Sequence, residues 1–321
     1  MILVGDALTM LKTIDAESVR TCITSPPYWG LRDYGVEGQL GLEKTPDEYV
    51  QNMVQVFREV RRVLADDGTL WLNLGDSYGA NYRWGGDRGF SEKQKTNRGS
   101  DPCFKRNGVP SKQLIGIPWR VALALQSDGW FLRQDIIWHK PNPMPESVRD
   151  RCTKAHEYVF LLAKSKKYFF DLDAIKEPAK WVAPNSPGSI KSPHGQGFSR
   201  RARGGGKKLS SNAVVPGRQD SQNLDKAGAK VWETRQKRSV WTVSTVPFKG
   251  AHFATFPPKL VEPCLLAGSA KGDTVLDPFL GSGTVAAVAL KHGRKFVGIE
   301  LNSDYAKLAA DRIKKAVGAG P

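Results

Sequence analysis

Residues 24–28 read Thr-Ser-Pro-Pro-Tyr and follow directly on a short apolar run, residues 19–23. Two consecutive prolines can continue neither a ladder nor a helix, because each lacks an N–H and has φ pinned near −65°. The residue before a proline is driven into an extended conformation. The chain must therefore leave a strand here as a stiff loop. That loop holds one hydroxyl, free carbonyl groups and one aromatic face in fixed relative positions. Taken alone, an ordinary proline turn would read the same way; the distant end of the chain supplies the distinction.

Along the chain, short apolar runs alternate with stretches of helical periodicity. Residues 2–4 form a short strand reaching Gly5-Asp6, and 7–14 a short helix. A second strand, 19–23, ends at the proline loop. Residues 46–64 place Tyr49, Met53, Val56, Phe57, Val60 and Leu64 on one helical face, with Pro46 suited to a first turn. Asp66-Asp67-Gly68 stops that helix, and 69–74 is a buried strand ending at Gly75-Asp76. Helix 114–125, strands 130–138 and 157–163, helix 257–266, strand 274–276, helix 284–292, strand 295–299 and helix 303–316 follow. Strands alternating with helices imply an α/β doubly wound sheet.

The segment Asp277-Pro-Phe-Leu-Gly-Ser-Gly-Thr284 lies between a predicted strand and a predicted helix. Its glycines permit a tight turn and close approach of a ligand to the backbone, and ligands of open α/β sheets sit at the C-terminal ends of strands. Gly-x-Gly is a weak signal by itself. Here the next strand ends at Glu300, nineteen residues after Gly281, where an acidic residue can hydrogen-bond ribose hydroxyls. The loop lacks the third glycine of a dinucleotide fingerprint and the Gly-Lys-Ser/Thr of a phosphate loop. An adenosine-type cofactor without a pyrophosphate fits better than NAD or ATP.

The net charge of +16 points to a polyanionic partner. Its placement is uneven: residues 176–240 hold fourteen Lys/Arg against four Asp/Glu, a local excess of +10. Cys22, Cys103, Cys152 and Cys264 lie far apart with no metal-ligand spacing. They read as reduced thiols of a cytosolic protein, and no metal is expected. No run approaches the roughly 20 apolar residues needed to span a membrane, and the first residues lack the pattern of a signal peptide. A cytoplasmic, prokaryotic or phage-encoded protein is expected.

Together the two motifs resemble the amino-methylating DNA methyltransferases, which modify an exocyclic amino group with S-adenosyl-L-methionine. The signatures [Asp/Asn/Ser]-Pro-Pro-[Tyr/Phe/Trp] and Asp-Pro-Phe-x-Gly-Ser-Gly-Thr stand unbroken as residues 25–28 and 277–284. The catalytic loop first, a basic segment in the middle and the cofactor loop last is similar to the circularly permuted beta group. The resemblance implies a Rossmann-like sheet with helices on both faces. It divides the chain into a catalytic part, 1–175, with a mobile loop at 79–112; a target-recognition region, 176–239; and a cofactor-binding part, 240–321. It makes Ser25, Pro26, Pro27 and Tyr28 the catalytic loop. Asp277, Phe279, Gly281, Gly283 and Thr284 would line the cofactor, with Glu300 on the ribose, Asp6 near the adenine amino group and Phe256 packed over it. Plainer roles stay open for two of these: Asp6 as a helix-start carboxylate and Phe256 as a core aromatic. Arg200, Arg201, Arg203, Lys207 and Lys208 would contact DNA phosphates, and Arg83, Arg88, Lys93, Lys95 and Arg98 put the 79–112 loop in reach of the same role.

The resemblance also implies chemistry. The target amino nitrogen is conjugated with its ring and is a poor nucleophile. A hydroxyl and the Pro26 carbonyl can accept its two N–H bonds and localise the lone pair, a task of positioning. Transfer is then a direct in-line displacement, with no cysteine in this loop to form a covalent intermediate. The base must leave the duplex, and Tyr28 offers a stacking face. In the family, serine at position 25 goes mostly with cytosine N4 and aspartate or asparagine mostly with adenine N6. Cytosine N4 is therefore favoured and adenine N6 is the alternative. A catalytically inert DNA-binding protein on this scaffold would show a damaged motif, and neither motif is damaged. Double-stranded DNA is the expected partner. A cognate restriction endonuclease, a homodimer and the recognition sequence stay open.

Overall fold

The strand sequences dictate a sheet buried on both faces, because residues of both parities are apolar. Leu70, Leu72 and Leu74 bury toward one side and Trp71 toward the other, with Phe160 and Leu162 set against Val159 and Leu161 in the same way. The computed structural model describes residues 1–79, 109–179, 233–245 and 257–318. It contains two compact units, one of Met1–Ile175 with Arg238–Pro321, the other of Lys176–Lys237.

In the larger unit the strands are β1 (Ile2–Val4), β2 (Val19–Thr24), β3 (Leu64–Leu74), β4 (Phe131–His139), β5 (His156–Ala163), β8 (Val240–Thr242), β9 (Thr274–Asp277) and β10 (Lys295–Glu300). They form one sheet in the order β1-β10-β9-β2-β3-β5-β4-β8. Every pairing is parallel except the two made by β5, which runs against β3 and β4. The helices are α1 (Ala7–Leu11), α2 (Pro46–Val63), α3 (Ile117–Ser127), α4 (Pro258–Gly268), α5 (Thr284–Lys291) and α6 (Ser303–Gly318). The first three cover one face through Leu11, Tyr49, Met53, Phe57, Val121 and Leu125. On the other face, α4 and α5 pack Leu260, Val261, Leu265 and Val285 on Trp71, Val159 and Val275. Each large apolar side chain so buried contributes roughly 1.5–3 kcal/mol. This is the doubly wound arrangement expected, with helices on both faces.

Three elements differ from their sequence expectations. The helix does end near Asp66, but Asp66-Asp67-Gly68 does not separate it from the strand. Instead β3 starts at Leu64 and absorbs these residues as an irregularity, the register on β2 jumping from Val19↔Leu64 to Thr21↔Thr69. Helix α3 begins at Ile117, three residues later than expected, because Gly116 is left-handed (φ 78°) and Leu114 instead bridges Tyr78. The short edge strand β8 has no mark in the sequence.

The second unit is described at its two ends only. There β6 (Glu177–Pro178) and β7 (Thr234–Arg235) pair antiparallel, closed by an Arg235–Glu177 ion pair at 2.8 Å. Arg200, Arg201, Arg203, Lys207 and Lys208 lie outside the described residues, as do Phe256 and residues 80–108 of the 79–112 loop.

Candidate active site

Because β1, β10, β9, β2 and β3 are parallel, their C-terminal ends share one edge of the sheet. That edge receives Asp6 after β1, Glu300 ending β10, Asp277 ending β9, Ser25 after β2, and Gly75-Asp76 after β3. The two sequence motifs thus leave adjacent strands. They also touch: the Thr24 hydroxyl donates to Asp277 Oδ1 at 2.7 Å.

Several partners hold the Ser-Pro-Pro-Tyr loop. Tyr49 of α2 donates its hydroxyl to the Pro27 carbonyl at 2.8 Å. Among the described residues, no donor reaches the Pro26 carbonyl. Ser25 Oγ lies 3.2 Å from Asn73 Oδ1 and 3.4 Å from the Tyr28 hydroxyl. The Tyr28 hydroxyl in turn lies 2.8 Å from Glu157 Oε2 and 3.0 Å from Asn73 Oδ1. Burial and the neighbouring Glu157 push the Tyr28 phenol well above its usual range, so it stays protonated. Its ring stands where a Gly75 side chain would be: a Cβ there would meet Tyr28 Cε2 at 2.5 Å. Glu157 also pairs with the Lys140 ammonium, which lies 4.3 Å from the centre of the Trp138 ring. Cys22, three residues before Ser25, is buried, and burial raises its thiol far from the reactive range.

On the glycine-rich side, Asp277 is buried and accepts from Thr24 and from the Phe279 N–H at 3.1 Å. Burial outweighs those two donors and pushes its carboxyl up to about 7. The two glycines do different work. A Cβ on Gly281 (φ 50°) would meet nothing nearer than 3.9 Å, so its Cα faces open space. A Cβ on Gly283 would press on Ala309 of α6 at 3.0 Å, so that glycine serves helix packing. Thr284 is buried with its hydroxyl held by Arg312 at 2.9 Å, and Arg312 also holds Ser282 Oγ at 2.7 Å.

Glu300 accepts from the Gly281 N–H at 2.8 Å and the Asn302 N–H at 2.9 Å. Burial raises its carboxyl above the usual range. Tyr34 and Tyr305, both within its electrostatic reach, meet edge to face with ring centres 6.5 Å apart. Asp6 caps α1, accepting from the Thr9 N–H and hydroxyl at 2.8 Å each. The plainer sequence reading of Asp6 is thus its observed contact. Among the described residues there is no cluster able to hold a metal, and no helix is long and apolar enough to cross a membrane.

Sequence reading missed Thr24, Tyr49, Asn73, Lys140 and Glu157 as parts of this site. Gly75 was legible as a strand-ending glycine, without its reason. For Asn73 the available signal was an amide inside an otherwise apolar strand, a residue type that must find partners when buried.

A family model described as DNA methylase (N6_N4_Mtase) matches residues 19–311. The type II methyltransferase M.XycI of Xanthomonas campestris pv. cyanopsidis is 46% identical over 313 residues, covering 97% of this chain and 86% of the relative. M.SmaI of Serratia marcescens is 44% identical over 315 residues, covering 97% and 90%. Among solved structures, the cytosine-N4-specific PvuII DNA methyltransferase superposes with a TM-score of 0.61 at 19% identity, covering 99% of this chain and 91% of that one. A DNA modification methylase of Thermus thermophilus, complexed with S-adenosyl-L-methionine, superposes with a TM-score of 0.56 at 23% identity, covering 99% and 96%. These structural likenesses concern the fold.

Proposed function

The chain belongs to the DNA methylase family and is a DNA methyltransferase; from that premise we propose that it moves a methyl group from S-adenosyl-L-methionine to N4 of a cytosine turned out of duplex DNA. The observation that carries this reading is the adjacency of the two motif loops, joined by the Thr24–Asp277 hydrogen bond. It puts a positioned hydroxyl and a glycine-lined cofactor loop at one sheet edge.

The residues on the glycine-rich side fit the cofactor. Open space beside the Gly281 Cα admits a ligand against the backbone, and Glu300 offers a carboxylate for ribose hydroxyls. Tyr34 and Tyr305 supply aromatic surface beside it. Phe279 and Asp277 line the same loop. Asp6 would face the adenine with the acceptor capacity left after capping α1. Gly283 and Thr284 contribute by holding the loop's shape through α6. When bound, the cofactor supplies an electrophilic methyl on a sulfonium; N4 gains the C–N bond, the C–S electron pair returns to sulfur, and the amino group then releases a proton to water.

At the target, Ser25 Oγ and the Pro26 carbonyl accept the two N–H bonds of the amino group and turn its lone pair toward the methyl. Pro27 and Tyr49 hold the loop in place for this, so that the geometry is set before the base arrives. Tyr28, wedged against Gly75 and tethered through its hydroxyl, presents a fixed ring for the flipped base, a contact worth about 1–3 kcal/mol by comparison with single-strand binders. The basic residues of the 176–239 region, Arg200, Arg201, Arg203, Lys207 and Lys208 among them, bind the DNA phosphates.

Digestion of DNA modified by the protein, followed by mass spectrometry of the nucleosides, tests the reading. N4-methylcytosine is expected. N6-methyladenine in its place would overturn the base assignment, and no methylated nucleoside would overturn the reaction.

A further inference from the structure

Behind Ser25 a chain of hydrogen bonds ends on Glu157. Its geometry fixes where each hydrogen goes. Tyr28 has one O–H and two candidate acceptors, Glu157 Oε2 at 2.8 Å and Asn73 Oδ1 at 3.0 Å. The carboxylate is nearer and is the stronger acceptor, so the proton points to Glu157. The Asn73 amide nitrogen faces the Tyr158 carbonyl at 3.0 Å and Glu157 Oε2 at 3.3 Å, both of which accept only. That fixes the amide's orientation and leaves Asn73 Oδ1 as an acceptor for the Ser25 hydroxyl, 3.2 Å away. With its hydrogen drawn inward, Ser25 Oγ turns its lone pairs outward.

The placement follows from the sheet. Asn73 stands two residues after Trp71 on β3, and Glu157 two before Val159 on β5, so both side chains share one face. Lys140 follows β4 and neutralises the carboxylate from the other side, while Lys154 and His156 also stand within its electrostatic reach.

We infer that Glu157, paired with Lys140, is a positioning residue for methyl transfer: through Tyr28 and Asn73 it keeps the Ser25 hydroxyl an acceptor for the target amino group. This rests on the amino-methyltransferase reading above. Without the carboxylate, the Tyr28 hydrogen can turn to Asn73 Oδ1. The Ser25 hydrogen is then released to point at the amino group, whose own hydrogens it would oppose. Polarisation runs the same way, since an amide donating to a carboxylate becomes a better acceptor at its oxygen.

The test is a mutant cycle of Glu157→Gln with Ser25→Ala, with kcat, KM for DNA, cofactor affinity by calorimetry and melting temperature measured for each. Glu157→Gln is expected to lower kcat about 10- to 100-fold, with KM for DNA and cofactor affinity changed by less than about threefold. Glu157→Asp, which restores the charge, should recover part of that loss. In the Ser25→Ala background Glu157→Gln should add less than about threefold, because the two act as one unit. Full additivity, an unchanged kcat in Glu157→Gln, or parallel loss of kcat, cofactor affinity and melting temperature would each overturn the inference. Should Glu157→Gln fail to fold, Glu157→Asp alone decides, an undiminished kcat counting against the role and a selective kcat loss for it. Wild-type protein that methylates no amino group would instead sink the functional reading.

Discussion

Thr24 Oγ1 donates to Asp277 Oδ1 at 2.7 Å, a contact between residues 253 positions apart that ties the end of β2 to the end of β9. Both side chains are buried. Thr24→Val keeps the shape and removes the donor, leaving a buried carboxylate with one partner fewer. Urea denaturation should show a loss of about 1–3 kcal/mol, with weaker cofactor binding and slower turnover together. Thr24→Ser should recover most of it. An unchanged midpoint would mean that the bond contributes nothing.

Asp277 itself gives a pH dependence. Its carboxyl is raised to about 7 in the folded protein, mainly by burial, against about 3.9 in an unfolded chain. Folding therefore takes up a proton between about pH 4 and pH 7. The group's contribution to stability is fully present below the lower value and is lost as pH rises through the upper one. Asp277→Asn should abolish this component, so its stability relative to wild type should rise across that window. Parallel stability curves for the two proteins would refute the assignment.

Gly75 is the position where a single methyl should do most harm. A Cβ would stand 2.5 Å from Tyr28 Cε2, so Gly75→Ala must move the ring or the strand end. Turnover should drop on the order of 10²-fold, the cost of displacing a positioned group by about an ångström. Cofactor affinity, set on the β9 and β10 side, should change little. Equal losses in both would place Gly75 in the general scaffold.

Ser25→Ala removes the acceptor proposed for the amino group while leaving the prolines in place. Turnover should fall on the order of 10²-fold, with cofactor affinity nearly intact by calorimetry. Loss of both in equal measure would contradict the role given to Ser25.

What could be read in advance depended on which residues mark the backbone. Pro26, Pro27, Gly281 and Gly283 impose backbone geometry through their own covalent structure, so both loops and their strand-end positions were visible in one dimension. Helix α2 was visible through its period, with Pro46 and Thr45 at its start. The side chains that connect the loops were not, because Thr24, Asn73 and Glu157 acquire meaning only through contacts across strands. The reversed direction of β5 leaves no periodic trace, so nothing in the sequence placed Glu157 beside Ser25. At Asp66-Asp67-Gly68 local turn chemistry and sheet pairing compete, and pairing with β2 prevails. Gly283 was read as room for a ligand, and its missing side chain instead makes room for Ala309.

The hairpin of β4 and β5 has a consequence for engineering. Its ladder extends past the strands to Lys140, whose N–H donates to the Ala155 carbonyl at 2.8 Å. The chain thus departs from the reacting edge and rejoins it at one backbone pair, and the spacing of Lys140 and Glu157 is set by that pair. The stretch in between carries Met144, 85% exposed. It is a natural graft point: residues inserted there, or a fluorophore attached, would hang from the working edge of the enzyme while the register beneath stays as it is.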